Sequence, residues 1–191
     1  ISGAQAKVTI YSKCGKETTI PEHHADTVVS LANAGRNDHT FAYHIWKNYD
    51  ILEDITFFVK DTLNPTDPQR RDFDEVLNPK EVYHTAASLG FACHYSEMEV
   101  DPGYTHSVWH YAPNLRKFAL NSYPPGKWDK AFVSRVRPYG PWLDSILNGS
   151  VAPSGELWPV CYGGNFVAMA SSIRAVPMSV WSRAENSLSR E

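Results

Sequence analysis

Cysteine is scarce in this chain: Cys14, Cys93 and Cys161 are the whole supply among 191 residues. Three scattered thiols make neither a disulfide framework nor a zinc site of paired spacing, so a reducing interior compartment is the expected setting. Neither sign of charge dominates. With 18 basic and 21 acidic side chains and a formal net charge of -3, the chain has no sequence-wide positive field, and nucleic acid is not an expected partner. No apolar run reaches the length that crosses a bilayer, so no membrane span is expected. The first residue is Ile1, and neither a basic region nor an apolar segment follows it. From the cysteine usage, cytoplasmic residence is the expectation, and a lumenal form with a removed N-terminal anchor stays open, since the chain starts at Ile1. The sequon Asn148-Gly149-Ser150 suits a lumen, but the same residues suit a helix stop. Also missing are a G-x-S-x-G elbow, an H-E-x-x-H helix, a glycine-rich dinucleotide or Walker loop, and any internal repeat.

What is present is enough apolar surface for one ordinary domain over residues 1–191, at 42% hydrophobic content. Val8-Thr9-Ile10-Tyr11 alternates as a strand does, and Thr27-Val28-Val29-Ser30-Leu31 reads as a second strand. Phe41, Ile45 and Tyr49 stand four apart with Ala42 and Trp46 widening the stripe, which predicts a helix. Ile55 to Val59 is a nearly continuous apolar run, as in a strand covered on both faces. This strand, helix, strand order predicts an α/β layer. Thr62 to Asp74 reads as a long loop. Asn78-Pro79-Lys80-Glu81 is a helix start, with Gly90 as its stop. Helices are also predicted from Pro141 to Leu147 and after Pro177, with a strand from Phe166 to Ala170 before the latter.

Several places can carry chemistry. The loop from Asn33 to Asp38 lies between a strand and a helix, where backbone amides meet ligands, and Arg36 can clamp a phosphate or carboxylate. Equally, Asp38 can cap the helix while Arg36 pairs with a neighbour. Asp61 follows the strand ending at Val59, a position where open sheets bind ligands, and suits Mn²⁺ or Mg²⁺ better than zinc. Asp67, Asp72 and Asp74 can assist it or simply solubilise the loop. Gly163 and Gly164, followed by Asn165, lead a strand and permit either a sharp turn or the close approach of a ligand. Glu156 precedes them as a possible general base or a surface acid. The eight histidines show no ligand spacing that stands out; His106 and His110 lie in a strand-like stretch, too far apart for easy joint ligation.

The block Asn33-Ala34-Gly35-Arg36 through Ile45, with Asn48-Tyr49-Asp50-Ile51-Leu52 and Ile55-Thr56-Phe57-Phe58, resembles a domain family of fungi, algae and some large viruses. That family is one of unassigned function. Its second block resembles Gly163 to Ala168 with Ile173-Arg174-Ala175-Val176-Pro177. Asn37 departs from it, standing where the family often has Glu. More loosely, the arrangement is similar to nucleotide-sugar glycosyltransferases of the GT-A type. That resemblance implies a GT-A-like mixed central sheet flanked by helices in a single domain. It also implies a nucleotide-diphosphate sugar as donor and a glycan or glycoprotein as acceptor. By position, Tyr11 and Ser12 would lie near the nucleotide, Asp61 would be the metal-side acid, and Gly163-Gly164 the sugar-side wall. The Asp-x-Asp of those enzymes is absent, since Leu63 stands two residues after Asp61. Glycosyl transfer needs stabilisation of the diphosphate, which a cation at Asp61 or Arg36 with helix amides can supply. It also needs a base for the acceptor hydroxyl, for which Glu156 and Asp101 are both candidates. Two other classes fit the residues. Trp109, Trp128, Trp142 and Trp158 suit a non-catalytic carbohydrate-binding domain, and Asp61 with the histidines suits a metal-assisted phosphate-ester hydrolase.

Overall fold

A computed structural model describes residues 5–13, 25–59, 79–93, 107–109, 116–117, 135–149, 157–159 and 165–189. In chain order the elements are strand β1 (Thr9–Ser12), strand β2 (Thr27–Ser30), helix α1 (Arg36–Asn48), strand β3 (Ile55–Phe58), helix α2 (Pro79–Leu89) and strand β4 (Phe91–Cys93). There follow strand β5 (Ser107–Trp109), helix α3 (Tyr139–Leu147), strand β6 (Leu157–Pro159), strand β7 (Phe166–Met169), and helices α4 (Ala170–Arg174) and α5 (Met178–Leu188). The chain is thus mixed α/β, as its pattern predicts.

Strand β7 organises the packing because its alternation serves both faces of a sheet. It lies between β3 and β4, antiparallel to both, with Phe58 opposite Phe166 and Ala92 opposite Val167. Val167, 1% exposed, faces one way and packs with Ala92 and with Val82 and Ala86 of α2. Ala168 faces the other way and joins Ile45, Leu52, Phe58, Ala170 and Ile173, with Phe41 and Trp181 packed around them. Phe58 and Phe166 stack with ring centroids 4.6 Å apart, and Phe41 meets Phe58 edge-on at 5.1 Å. Helix α2 therefore covers one face of this sheet, while α1 and α4 cover the other. A third cluster, Ala42, Leu143, Ile146, Val180 and Ala184, joins α1 to α3 and α5. The spacing of four between Val180 and Ala184 and of three between Leu143 and Ile146 gives each helix one apolar stripe.

Among the described residues the strands fall into three small sheets, not one central sheet: parallel β1-β2, antiparallel β3-β7-β4 and antiparallel β5-β6. The expectation that Ile55 to Val59 is covered on both faces is corrected. Among the described residues β3 lies at the edge of its sheet, and Phe57 is 37% exposed while Phe58 is 4% exposed. The helix on the far face packs on the central strand and covers Ile55, but not Phe57.

Helix ends are tied by arginines from distant sequence. The last turn of a helix leaves carbonyls without intrahelical partners, and a cation there also meets the negative end of the helix dipole. At the end of α1, Arg174 Nε donates to Tyr49 O at 3.0 Å and its Nη2 donates to Leu52 O at 3.2 Å. Tyr49 returns the contact, its hydroxyl lying 3.0 Å from Arg174 O and 2.9 Å from Val176 O. Gly90 ends α2 with φ +83°, as its place in the sequence predicts, and Gly35 precedes α1 with φ +57°.

The two glycines differ in what a side chain would meet. A Cβ on Gly90 would fall 2.2 Å from the Ser172 hydroxyl, which can rotate away, whereas one on Gly35 would fall 2.2 Å from the backbone oxygen of Leu188. Gly90→Ala should therefore cost about 1–2 kcal/mol of left-handed strain. Gly35→Ala should cost about 3 kcal/mol or more, because helix α5 itself must move. Urea unfolding of the two variants checks the order.

Candidate functional site

Parallel pairing brings the ends of β1 and β2 together, with Ser12 opposite Ser30 and Leu31 N donating to Ser12 O at 2.8 Å. The chain leaves β2 through Ala32 and Asn33, turns at Ala34-Gly35, and starts α1 at Arg36. In open α/β layers the carboxyl ends of parallel strands, together with the N-terminus of the next helix, form the usual ligand edge. Gly35 and Arg36 are both left-handed, at φ +57° and +50°. Of the two readings of this loop, the one in which Asp38 takes the cap position is corrected: that position is Gly35, which makes no side-chain cap hydrogen bond, and Asp38 sits inside the first turn.

Lys13, directly after β1, anchors this loop. Its Nζ donates to the carbonyl oxygen of Ala34, to that of Arg36 at 2.6 Å, and to His39 Nδ1 at 3.2 Å. His39 is 3% exposed, on the face of α1 that packs against α5. With Nδ1 accepting from an ammonium, the ring proton belongs on Nε2, which lies 3.3 Å from Glu185 Oε1. The result is a chain of ammonium, neutral imidazole and carboxylate running from β1 through α1 to α5. Burial first, and the Lys13 charge second, push the His39 pKa below its ordinary value, against the opposing pull of Glu185.

One helical turn further along, Tyr11 joins β1 to α1. Its hydroxyl lies 2.8 Å from His44 Nδ1, and its ring meets Tyr43 edge-on at 5.9 Å. Burial pushes the Tyr11 phenol up to about 12, so it stays protonated and donates to His44. Burial likewise lowers the His44 pKa, with Lys7 adding to the effect. Asn48 Nδ2 donates to His44 O at 2.8 Å.

Of the residues singled out in the sequence, Tyr11, Ser12, Asn33 and Arg36 are gathered here. Tyr11 is turned into the β1-α1 contact, Asn33 is exposed, and Arg36 is half-buried at the helix start. Asn165 is placed elsewhere, 5% exposed at the head of β7 in the other sheet. Asp61, Asp101, Glu156, Gly163 and Gly164 lie outside the described residues, as does Trp128. Among the described residues no three His, Cys, Asp or Glu side chains gather to hold a metal ion. Trp142 packs on the α1-α3-α5 core with its Nε1 donating to Ser187 Oγ at 2.9 Å, so it is a packing residue, not an open platform. Lys13, His39, His44 and Glu185 were not marked by sequence motif. Only the placing of His39 and His44 on the apolar side of a helix hinted at them. No family model, no curated protein and no solved structure matches the chain.

The lowered histidine pKa values set a pH dependence. An unfolded histidine titrates near about pH 6.5, so the stability these neutral rings contribute is fully present above that value. It is lost as pH falls through the lower folded values, because the unfolded chain takes up protons that the folded one resists. Wild-type protein should therefore lose urea resistance from about pH 7.5 to about pH 5.5, and His39→Gln should lose less over the same interval. Equal losses would contradict the placement of the proton.

Proposed function

We propose that this chain is a nucleotide-sugar-dependent glycosyltransferase domain. The observation that carries the reading is the shared edge of β1 and β2, where the carboxyl ends of two parallel strands meet the N-terminus of α1, which Arg36 opens. A diphosphate needs cationic donors and oriented N–H groups, for which the Arg36 side chain and the N-terminus of α1 are the candidates, while Lys13 spends its three N–H groups on Ala34 O, Arg36 O and His39 Nδ1 and holds the loop in place. Tyr11 and Ser12 stand at the end of the first strand, where a nucleotide would lie in a GT-A-like arrangement.

The remaining roles rest on the sequence. Gly163 and Gly164 would border the sugar, and Glu156 or Asp101 would take the proton of a glycan or glycoprotein hydroxyl; Asn165, buried at the head of β7, takes no part. A Mn²⁺ or Mg²⁺ ion held by Asp61 would add Lewis-acid stabilisation of the leaving diphosphate. Membership of the fungal, algal and viral family is part of the same proposal. Its support is that the two blocks that carry the resemblance pack on each other, through the Phe58-Phe166 stack and the Arg174-Tyr49 clasp.

Calorimetric titration with UDP-, GDP- and TDP-sugars, with and without Mn²⁺, tests the reading. At least one nucleotide sugar should bind saturably. Arg36→Asn should weaken it about tenfold by removing a charge-assisted donor, and Asn accepts the left-handed backbone. No saturable binding to any of the sugars would overturn the proposal.

A further inference from the structure

The end of β1 is tied to α1 by a contact that depends on the charge of one ring. Strands β1 and β2 hold each other: beyond their parallel register, the Asp26 carboxylate accepts from Val8 N at 2.7 Å, and Leu31 N donates to Ser12 O. Among the described residues, none of the three apolar clusters includes a side chain of either strand, and Val28 is 51% exposed. The pair reaches α1 through Tyr11 and Lys13, each of which ends on Nδ1 of a histidine.

The two contacts differ in what a proton does to them. A phenol both donates and accepts, so Tyr11 can turn its hydroxyl and accept from a protonated His44. An ammonium only donates. Once Nδ1 of His39 carries a proton it offers Lys13 no lone pair, and two positive groups stand 3.2 Å apart. Among the described residues, the other titratable groups facing His39 are Glu185 on α5 and Tyr43 on its own helix. Glu185 meets Nε2, which carries a proton in either state, so the contact with α5 survives. The Nζ that must leave His39 is the same atom that holds the carbonyls of Ala34 and Arg36, on either side of Gly35 where α1 starts.

We propose that His39 is an acid-operated release: its protonation frees Lys13 from the start of α1 and loosens the β1-β2 edge, while α1 keeps its place on α5 and Tyr11 keeps β1 on His44. Burial first, and the Lys13 charge second, set the release below about pH 6.5, where an ordinary histidine titrates. The device belongs to the fold and holds whether or not that edge takes a nucleotide sugar.

The test is an NMR titration of the full ¹³C,¹⁵N-labelled chain from about pH 7.5 to about pH 5, across the histidine range. It follows the His39 ring nitrogens, the carbonyl carbons of Ala34 and Arg36, and the amides of β7 as a gauge of the intact core. Both carbonyl carbons should shift with the His39 midpoint while the β7 amides stay in place. In Lys13→Met the carbonyl shifts should vanish although His39 still titrates, at a higher pH because the neighbouring positive charge is gone. His39→Gln, neutral at every pH, should hold both carbonyls constant. The proposal is overturned if the carbonyls do not move as His39 protonates, if they move as far in Lys13→Met, or if His39 stays neutral until the β7 amides are lost with the whole fold.

Discussion

The polar chain from Lys13 through His39 to Glu185 sets where α1 can lie, and the rest of the fold is placed from α1. A buried imidazole needs partners on both nitrogens, and a partly buried ammonium needs acceptors around it. Both needs are met only when the end of β1, the loop at Ala34 and Arg36, and helix α5 come together. The packing of Gly35 under Leu188 reinforces this, since the carbonyl of α5 occupies the space where any side chain would be. With α1 fixed, its apolar stripe meets α3 and α5 through Ala42, and the β3-β7-β4 sheet through Ile45.

The same interaction bears on what the loop from Asn33 to Asp38 does. Lys13 turns the carbonyls of Ala34 and Arg36 toward itself, which organises the start of α1. The single glycine of that loop serves helix packing, and a ligand at this edge would use the geometry that packing already imposes. The contacts that hold the loop fix the conformation of the start of α1.

Most elements were legible because their signals are local. Apolar residues at Phe41, Ala42 and Ile45 predict α1, Pro79 and Gly90 bracket α2, and the run at Phe166 gives β7, all from spacing and backbone chemistry. The exposure of Phe57 was not legible, because periodicity cannot tell a central strand from an edge strand before partners are known. Nor was the division of the strands into separate sheets. At the site, the loop and Arg36 were legible from the Asn-Ala-Gly-Arg stretch, but the left-handed backbone of Arg36 and the histidine's partners were not. His39 and Glu185 are 146 positions apart, and Lys13 sits in a polar run with no motif. Such a chain is created by tertiary packing and leaves no periodic trace.

A double-mutant cycle on Lys13→Met and Glu185→Gln, measured by urea unfolding, tests this account most directly. Lys13 and Glu185 are linked through His39, so the two losses should fall short of additive by about 1 kcal/mol or more, and the shortfall should shrink in a His39→Leu background. Losses that add to within about 0.3 kcal/mol would show that the two residues act separately, and would contradict the claim that one polar chain places α1.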